Sequence, residues 1–168
     1  MINQSVKILK TSIAAALFAV SFGVSAQAAN IVETAAGAKV FGTLIAAAKA
    51  AGLADALANG ENLTVFAPTD DAFAALPAGT VETLLKPENK AQLAAILSYH
   101  VLPRVLTSDM MPNKTIHIRT IKQGGDRTLA LTKSSSGVSV DGANVVTADV
   151  RASNGVIHII DRVMIPTK

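Results

Sequence analysis

The sequence predicts an α+β domain, with helices in the first half and an antiparallel sheet in the second. Two observations carry that expectation. Between residues 41 and 100 the apolar side chains recur at the spacing of a helix face, whereas between 116 and 160 they fall into short β-prone runs separated by turn dipeptides. Helices first and strands afterwards point away from an alternating parallel sheet.

Phe41, Leu44, Ile45 and Ala48 mark one helix face, and Gly52 is placed to stop it before a shorter helical segment with Leu53 and Leu57, closed by Asn59-Gly60. Leu63 to Ala67 is a brief apolar run ended by Pro68, which reads as a buried strand. In Thr69-Asp70-Asp71-Ala72-Phe73, Thr69 or Asp70 is a ready helix cap, and the acidic pair suits a first turn. Val81, Leu84 and Leu85 suggest another helical turn. Leu93, Ile96 and Leu97 mark a helix from near Glu88 to Tyr99-His100, with Pro103 preventing continuation. The strands follow: Ile116 to Thr120, Thr128 to Thr132, Gly137 to Val140, Ala143 to Asp149 and Val156 to Ile160. Gly124-Gly125-Asp126, Ser135-Ser136-Gly137, Asp141-Gly142 and Asn154-Gly155 separate them, as expected of hairpins whose turns need positive φ. No internal repeat or linker interrupts the series.

Ahead of the domain, Lys7 and Lys10 precede an uncharged, Ala-rich run from Thr11 to Val24, and Ala26-Gln27-Ala28 supplies a small-x-small cleavage pattern. Residues 1–28 are therefore expected to be a secretory signal peptide, and 29–168 a single domain. Ser25, Gln27 and Asn30 break the apolar run short of the roughly 20 residues that a spanning anchor requires. The expected location is secreted, periplasmic or cell-surface associated, with no transmembrane segment after signal removal.

Composition narrows the functional classes. The whole chain has 15 basic and 12 acidic residues, but two of the lysines belong to the leader, so the mature charge is close to balanced. With one tyrosine and no tryptophan there is little to stack on bases, and no basic stripe to neutralise phosphates, so nucleic acid is not expected as a partner. Cysteine is absent, which excludes disulfides, thiol nucleophiles, thiolate metal sites and a bacterial lipid anchor. A domain of roughly 140 residues buries enough surface to hold its fold without such staples.

Catalytic motifs fail at nameable positions. Gly37 and Gly42 have phosphate-loop spacing, but Thr43 stands where the lysine belongs. Gly137-Val138-Ser139-Val140-Asp141 nearly matches a nucleophile elbow, yet Asp141 replaces the second glycine and the context is strand to strand. Asp70 and Asp71 are adjacent, so they do not face each other on a helix, and capping accounts for them better than acid–base chemistry. Of the histidines, His117 alternates with Ile116 and Ile118 and so faces solvent, His158 reads as a hydrogen-bonded core residue, and His100 as a local partner at a helix exit. No carboxylates accompany them at ligand spacing, so neither metal nor cofactor is expected. Asn62-Leu63-Thr64 and Asn113-Lys114-Thr115 match the glycosylation acceptor pattern, which matters only in a host that glycosylates it.

Four stretches in order resemble the hallmarks of the fasciclin domain family: Thr64-Val65-Phe66-Ala67-Pro68-Thr69-Asp70-Asp71-Ala72-Phe73, Tyr99-His100-Val101-Leu102-Pro103, Ala148-Asp149-Val150, and Asn154-Gly155-Val156-Ile157-His158-Ile159-Ile160-Asp161. The resemblance spans nearly all of the mature chain. It implies a wedge-shaped β-sandwich with N-terminal helices packed against it, and a non-catalytic adhesion and recognition module outside the cytoplasm, binding a protein or polysaccharide at a cell surface or in a matrix. It also implies partner-binding roles for Asp149, Val150, Tyr99 and His100, the positions that match those implicated in animal relatives, where isoleucine stands at position 150 and an apolar residue at 151. For Tyr99 and His100, which follow an apolar helix, the residues themselves favour a structural role, fixing the helix to the sheet. Two other readings remain open from the residues: a periplasmic carrier of a small apolar ligand, suggested by the Ala- and Leu-rich helical half, and a serine hydrolase using Ser139 or another serine with one of the histidines.

Overall fold

A computed structural model of the chain describes residues 28–166, and the expected leader lies outside the described residues but for its last position. Three helices come first: α1 (Ile31–Gly37), α2 (Gly42–Ala51) and α3 (Ala54–Asn59). The sequence reading starts its helices at Phe41 and passes over α1. Its signal is a capping box, in which the Asn30 side chain accepts from the Glu33 amide and Glu33 accepts from the Asn30 amide, both at 2.9 Å. On α2, Leu44, Ala47, Ala48 and Ala51 form the buried stripe, and Gly52 ends the helix in the left-handed conformation.

Strand β1 (Leu63–Pro68) is buried along its whole length, as expected of a short apolar run. Helices α4 (Asp70–Ala74), α5 (Thr80–Leu85) and α6 (Lys90–Tyr99) follow, with the two-residue strand β2 (Val101–Leu102) after them. Thr69 caps α4, accepting from the Ala72 amide. Asp70 has a different task, capping α2 across space: its carboxylate accepts from the Thr43 amide at 2.7 Å and the Gly42 amide at 3.2 Å. Phe41, the residue that precedes α2, has no cap of its own to offer. The amides of the phosphate-loop near miss are thus occupied by an internal carboxylate, which their hydrogen bonds hold below its ordinary pKa, the Thr43 amide foremost.

The remaining strands are β3 (Thr115–Arg119), β4 (Thr128–Ser134), β5 (Gly137–Val140), β6 (Ala143–Ala152) and β7 (Gly155–Ile160), an antiparallel meander as the turn dipeptides predict. The ladder runs β2-β1-β7-β6-β5-β4-β3, and β1 lies parallel to β7, a long-range pairing that local patterns do not announce. The sheet curls until its ends approach, where the Ile121 amide donates to the Val101 carbonyl at 2.9 Å.

Curling gives two cores. One lies between the helices and the outward face of β1 and β7, joining Leu44, Leu97, Val65, Ala67 and Ile157. The other fills the fold of the sheet, joining Phe66, Tyr99, Leu102, Leu129, Leu131, Val140 and Ile160. Alternation along β1 serves both, since Val65 and Ala67 turn to the helices while Phe66 turns inward.

The turn dipeptides prove to be of two kinds. Asp141 and Gly142 have φ of 48° and 81°, which closes the β5–β6 hairpin in the geometry that matches strand twist. Asn154-Gly155 departs from that expectation: neither residue has positive φ, and Gly155 is already the first residue of β7, paired with Ala152. Glycine is required there by close approach, because a Cβ would stand 2.0 Å from the Leu63 carbonyl oxygen.

Candidate functional site

The segment after β2 crosses the sheet as a strap from Arg104 to Ser108, and its backbone is held by side chains from four strands. From β1, the buried Thr64 hydroxyl donates to the Arg104 carbonyl at 2.7 Å and accepts from the Leu106 amide at 2.8 Å. From β7, His158 Nε2 lies 2.7 Å from the Leu106 carbonyl. From β6, Asp149 accepts from the Ser108 amide at 2.8 Å and also from the Ser108 hydroxyl. Lys133, on β4, adds its ammonium to the Ser108 carbonyl at 2.7 Å. Buried backbone groups that no ladder satisfies must find such partners.

Beyond the strap, Ser108–Met110 forms a single 3-10 turn. The anchored turn carries Met110 out into solvent, 59% exposed, beside the exposed Asp109. The Asp109 carboxyl titrates below its usual range, chiefly through a bond from the Thr107 side chain, with smaller contributions that include Arg151 and Lys133.

Asp149 owes its aim to irregular backbone. Between Thr147, paired with Ile159, and Val150, paired with Ile157, β6 has one more residue than β7, and Asp149 takes φ of 60°. Such a bulge re-aims a side chain, and aspartate is one of the few residues that tolerates the left-handed region. Val150, the next residue, turns the other way and packs half-buried against the helical core. The adjacent pair is therefore divided between the two sides of the sheet.

Tyr99 and His100 are both buried, and they too diverge. The Tyr99 hydroxyl donates to Asp141 at 2.5 Å, with the Thr128 carbonyl 3.0 Å away. Burial, and then the bond to Asp141, raise its pKa well above that of a free phenol. Asp141 in turn accepts from the Ala130 amide at 2.8 Å, so the tyrosine ties α6 to the β5–β6 hairpin. His100 Nε2 accepts from the Met164 amide at 3.0 Å, which leaves Nδ1 as the protonated nitrogen, 2.8 Å from the Ile96 carbonyl. Its pKa is depressed to about 4, because burial outweighs the Ile96 carbonyl and the Asp141 charge. No hydrogen bond among the described residues joins Tyr99 or His100 to Asp149 or Val150.

His158, His100 and His117 are placed as their sequence settings suggest: the first two buried and bonded, His117 exposed. Neither buried imidazole is bonded to a serine, and Ser139 sits within β5 opposite Thr132 and Asn144. Among the described residues no group of three or more histidines and carboxylates is disposed to hold a metal, and no helix is long and apolar enough to cross a membrane. The apolar space between α1, α2 and β1, lined by Ile31, Leu44, Leu97 and Ile157, is about 30 Å³. A carried ligand needs on the order of 300 Å³, so this cavity has no room for one. Sequence reasoning passed over Ser108, Met110 and Lys133, and took Thr64 only as part of a hallmark segment and an acceptor pattern, because the strap has no period and its partners lie far along the chain.

Comparison with known proteins agrees with this architecture. The family model for the fasciclin domain matches residues 39–166. Protein sll1483 of Synechocystis is 49% identical over 147 residues, covering 88% of this chain and 79% of that one. The transforming growth factor-beta-induced protein ig-h3 of Sus scrofa is 36% identical over 137 residues, which are 82% of this chain and 19% of the longer protein. Among solved structures, a FAS1 domain pair from the insect cell adhesion molecule Fasciclin I shares the fold, with a TM-score of 0.51 at 22% identity over 81% of this chain and 47% of that one. The chain belongs to the fasciclin domain family.

Proposed function

We propose that this protein, exported and freed of residues 1–28, is a non-catalytic recognition module that docks a protein or polysaccharide at a cell surface or in a matrix, through the face built round Asp149 and the Ser108–Met110 turn. One observation carries the reading: Met110 is held in water on a turn that Asp149 and Lys133 anchor from below. A turn anchored in that way has its backbone ordering cost met before a partner arrives, which is how preorganised contacts gain affinity. The adhesion relatives of the family support the same assignment.

In this arrangement Asp149 acts by positioning the turn and Val150 by seating β6 on the helices. Tyr99 and His100 support the same domain from behind, holding the β5–β6 hairpin and the C-terminal segment. The contacting groups are Asp109, Met110 and their neighbours. A lone exposed carboxylate contributes about 1 kcal/mol or less, so the apolar contact must supply most of the affinity.

The test is attachment of purified protein to envelope or matrix preparations from its host. Replacing Asp109 and Met110 together by alanine should reduce attachment about tenfold while leaving the unfolding midpoint unchanged, and Asp149→Ala should reduce it by freeing the turn. Wild-type attachment by both variants would remove this surface from the assignment.

A further inference from the structure

His158 is held by both nitrogens in roles that only the neutral ring can play. Nδ1 lies 3.3 Å from the Asp149 amide nitrogen, which is a donor, so Nδ1 is the acceptor and Nε2 carries the hydrogen given to Leu106. The ring is completely buried and stacks on Phe66, with centroids 5.4 Å apart. One imidazole thus connects the bulge that aims Asp149 to the strap that carries the exposed turn.

We propose that His158 is a proton-operated latch on the Ser108–Met110 turn, closed when the ring is neutral and opened when a proton from solvent occupies Nδ1. This rests on the recognition face proposed above. The added proton sets N–H against the Asp149 N–H, so that bond is lost and the bulge loses the contact that fixes it. Asp149 then no longer holds both Ser108 bonds in register, and the turn leaves its anchored position. The ring meets Phe66 on β1, the Leu106 carbonyl on the strap and the Asp149 amide on β6; the charge acting on it is the Asp149 carboxylate, which also holds Ser108, the residue whose carbonyl takes the Lys133 ammonium. Burial opposes the charged ring and lowers its pKa, while the Leu106 bond and the Asp149 carboxylate favour the charge, so acid below the ordinary histidine range is needed to open the latch.

The experiment is an NMR titration of the isotope-labelled protein from pH 7.5 to 4, following the His158 ring nitrogens together with the Ser108, Met110 and Asp149 amides. The expected result is one common midpoint for the ring and the three amides, distinct from any change at the end of α6 beside His100, with the signals of α2 unchanged and exchange at Ser108, corrected for intrinsic rate, rising about tenfold. The response should persist in Asp149→Asn with its midpoint moved to lower pH, because the charge that favours the protonated ring is gone, and vanish in His158→Gln. Amides that stay still while the ring titrates overturn the latch, as does a response lost in Asp149→Asn and kept in His158→Gln. Because no partner enters this measurement, its failure is separate from failure of the attachment assay.

Discussion

At the scale of single residues, the two buried imidazoles make the fold sensitive to acid in a direction that can be stated. An imidazole in the unfolded chain takes up its proton near pH 6.5, whereas His100 in the fold does so only near pH 4. Between those values the unfolded state binds the extra proton. Stability is therefore whole above pH 6.5 and declines as the pH falls, by on the order of 3 kcal/mol once pH 4 is reached. Urea unfolding midpoints measured across that window should fall with acid, and a His100→Gln variant should show a flatter profile from a lower starting point. His158 acts in the same sense, since its pKa is also lowered.

At the scale of elements, much of the stability resides where one element completes another. Helix α2 begins without a cap of its own and takes one from Asp70, at a sequence separation of 27 and 28 residues. Asp70→Ala should cost about 1–2 kcal/mol in chemical denaturation, while Asp70→Asn, which keeps an acceptor, should cost less. The β6–β7 turn is a second joint. Asn154 accepts from the Ile31 amide at 2.9 Å and donates to the Leu57 and Gly60 carbonyls, each at 2.8 Å, so one side chain gathers α1, the end of α3 and the hairpin. Beside it, Gly155→Ala would drive a methyl group into the Leu63 carbonyl and separate β7 from β1. We expect a loss of about 3 kcal/mol or more, seen as a large drop in thermal midpoint or failure to fold.

For the molecule as a whole, the absence of cysteine from the entire chain means that both cores hold without a disulfide, by apolar burial together with the hydrogen bonds between elements. The thermal midpoint should be unchanged by dithiothreitol, because the chain offers no disulfide for it to reduce, and a shift would overturn this account of what holds the fold. On α2 the buried stripe includes Ala47, Ala48 and Ala51, small side chains that let the helix pack closely on its neighbours, α6 foremost.

The amino-acid sequence by itself determined the elements whose signals are local. The spacing of Leu44 and Ala48, the capping Thr69, the stop at Gly52 and the turn at Asp141-Gly142 each act within a few residues, and the helices and hairpins stand where they place them. The capping box at Asn30 was equally local and could have marked α1. Only the tertiary structure decided that β1 pairs with β7, that Gly155 is needed for clearance rather than for φ, and that Asp149 and Val150 part to opposite sides of the sheet. It also decided what Asp149 touches: Ser108 lies 41 residues away along the chain, and no periodicity in either segment encodes that meeting. Local patterns reflect backbone preference and side-chain period, whereas contacts between distant segments depend on how all the buried surfaces are satisfied at once.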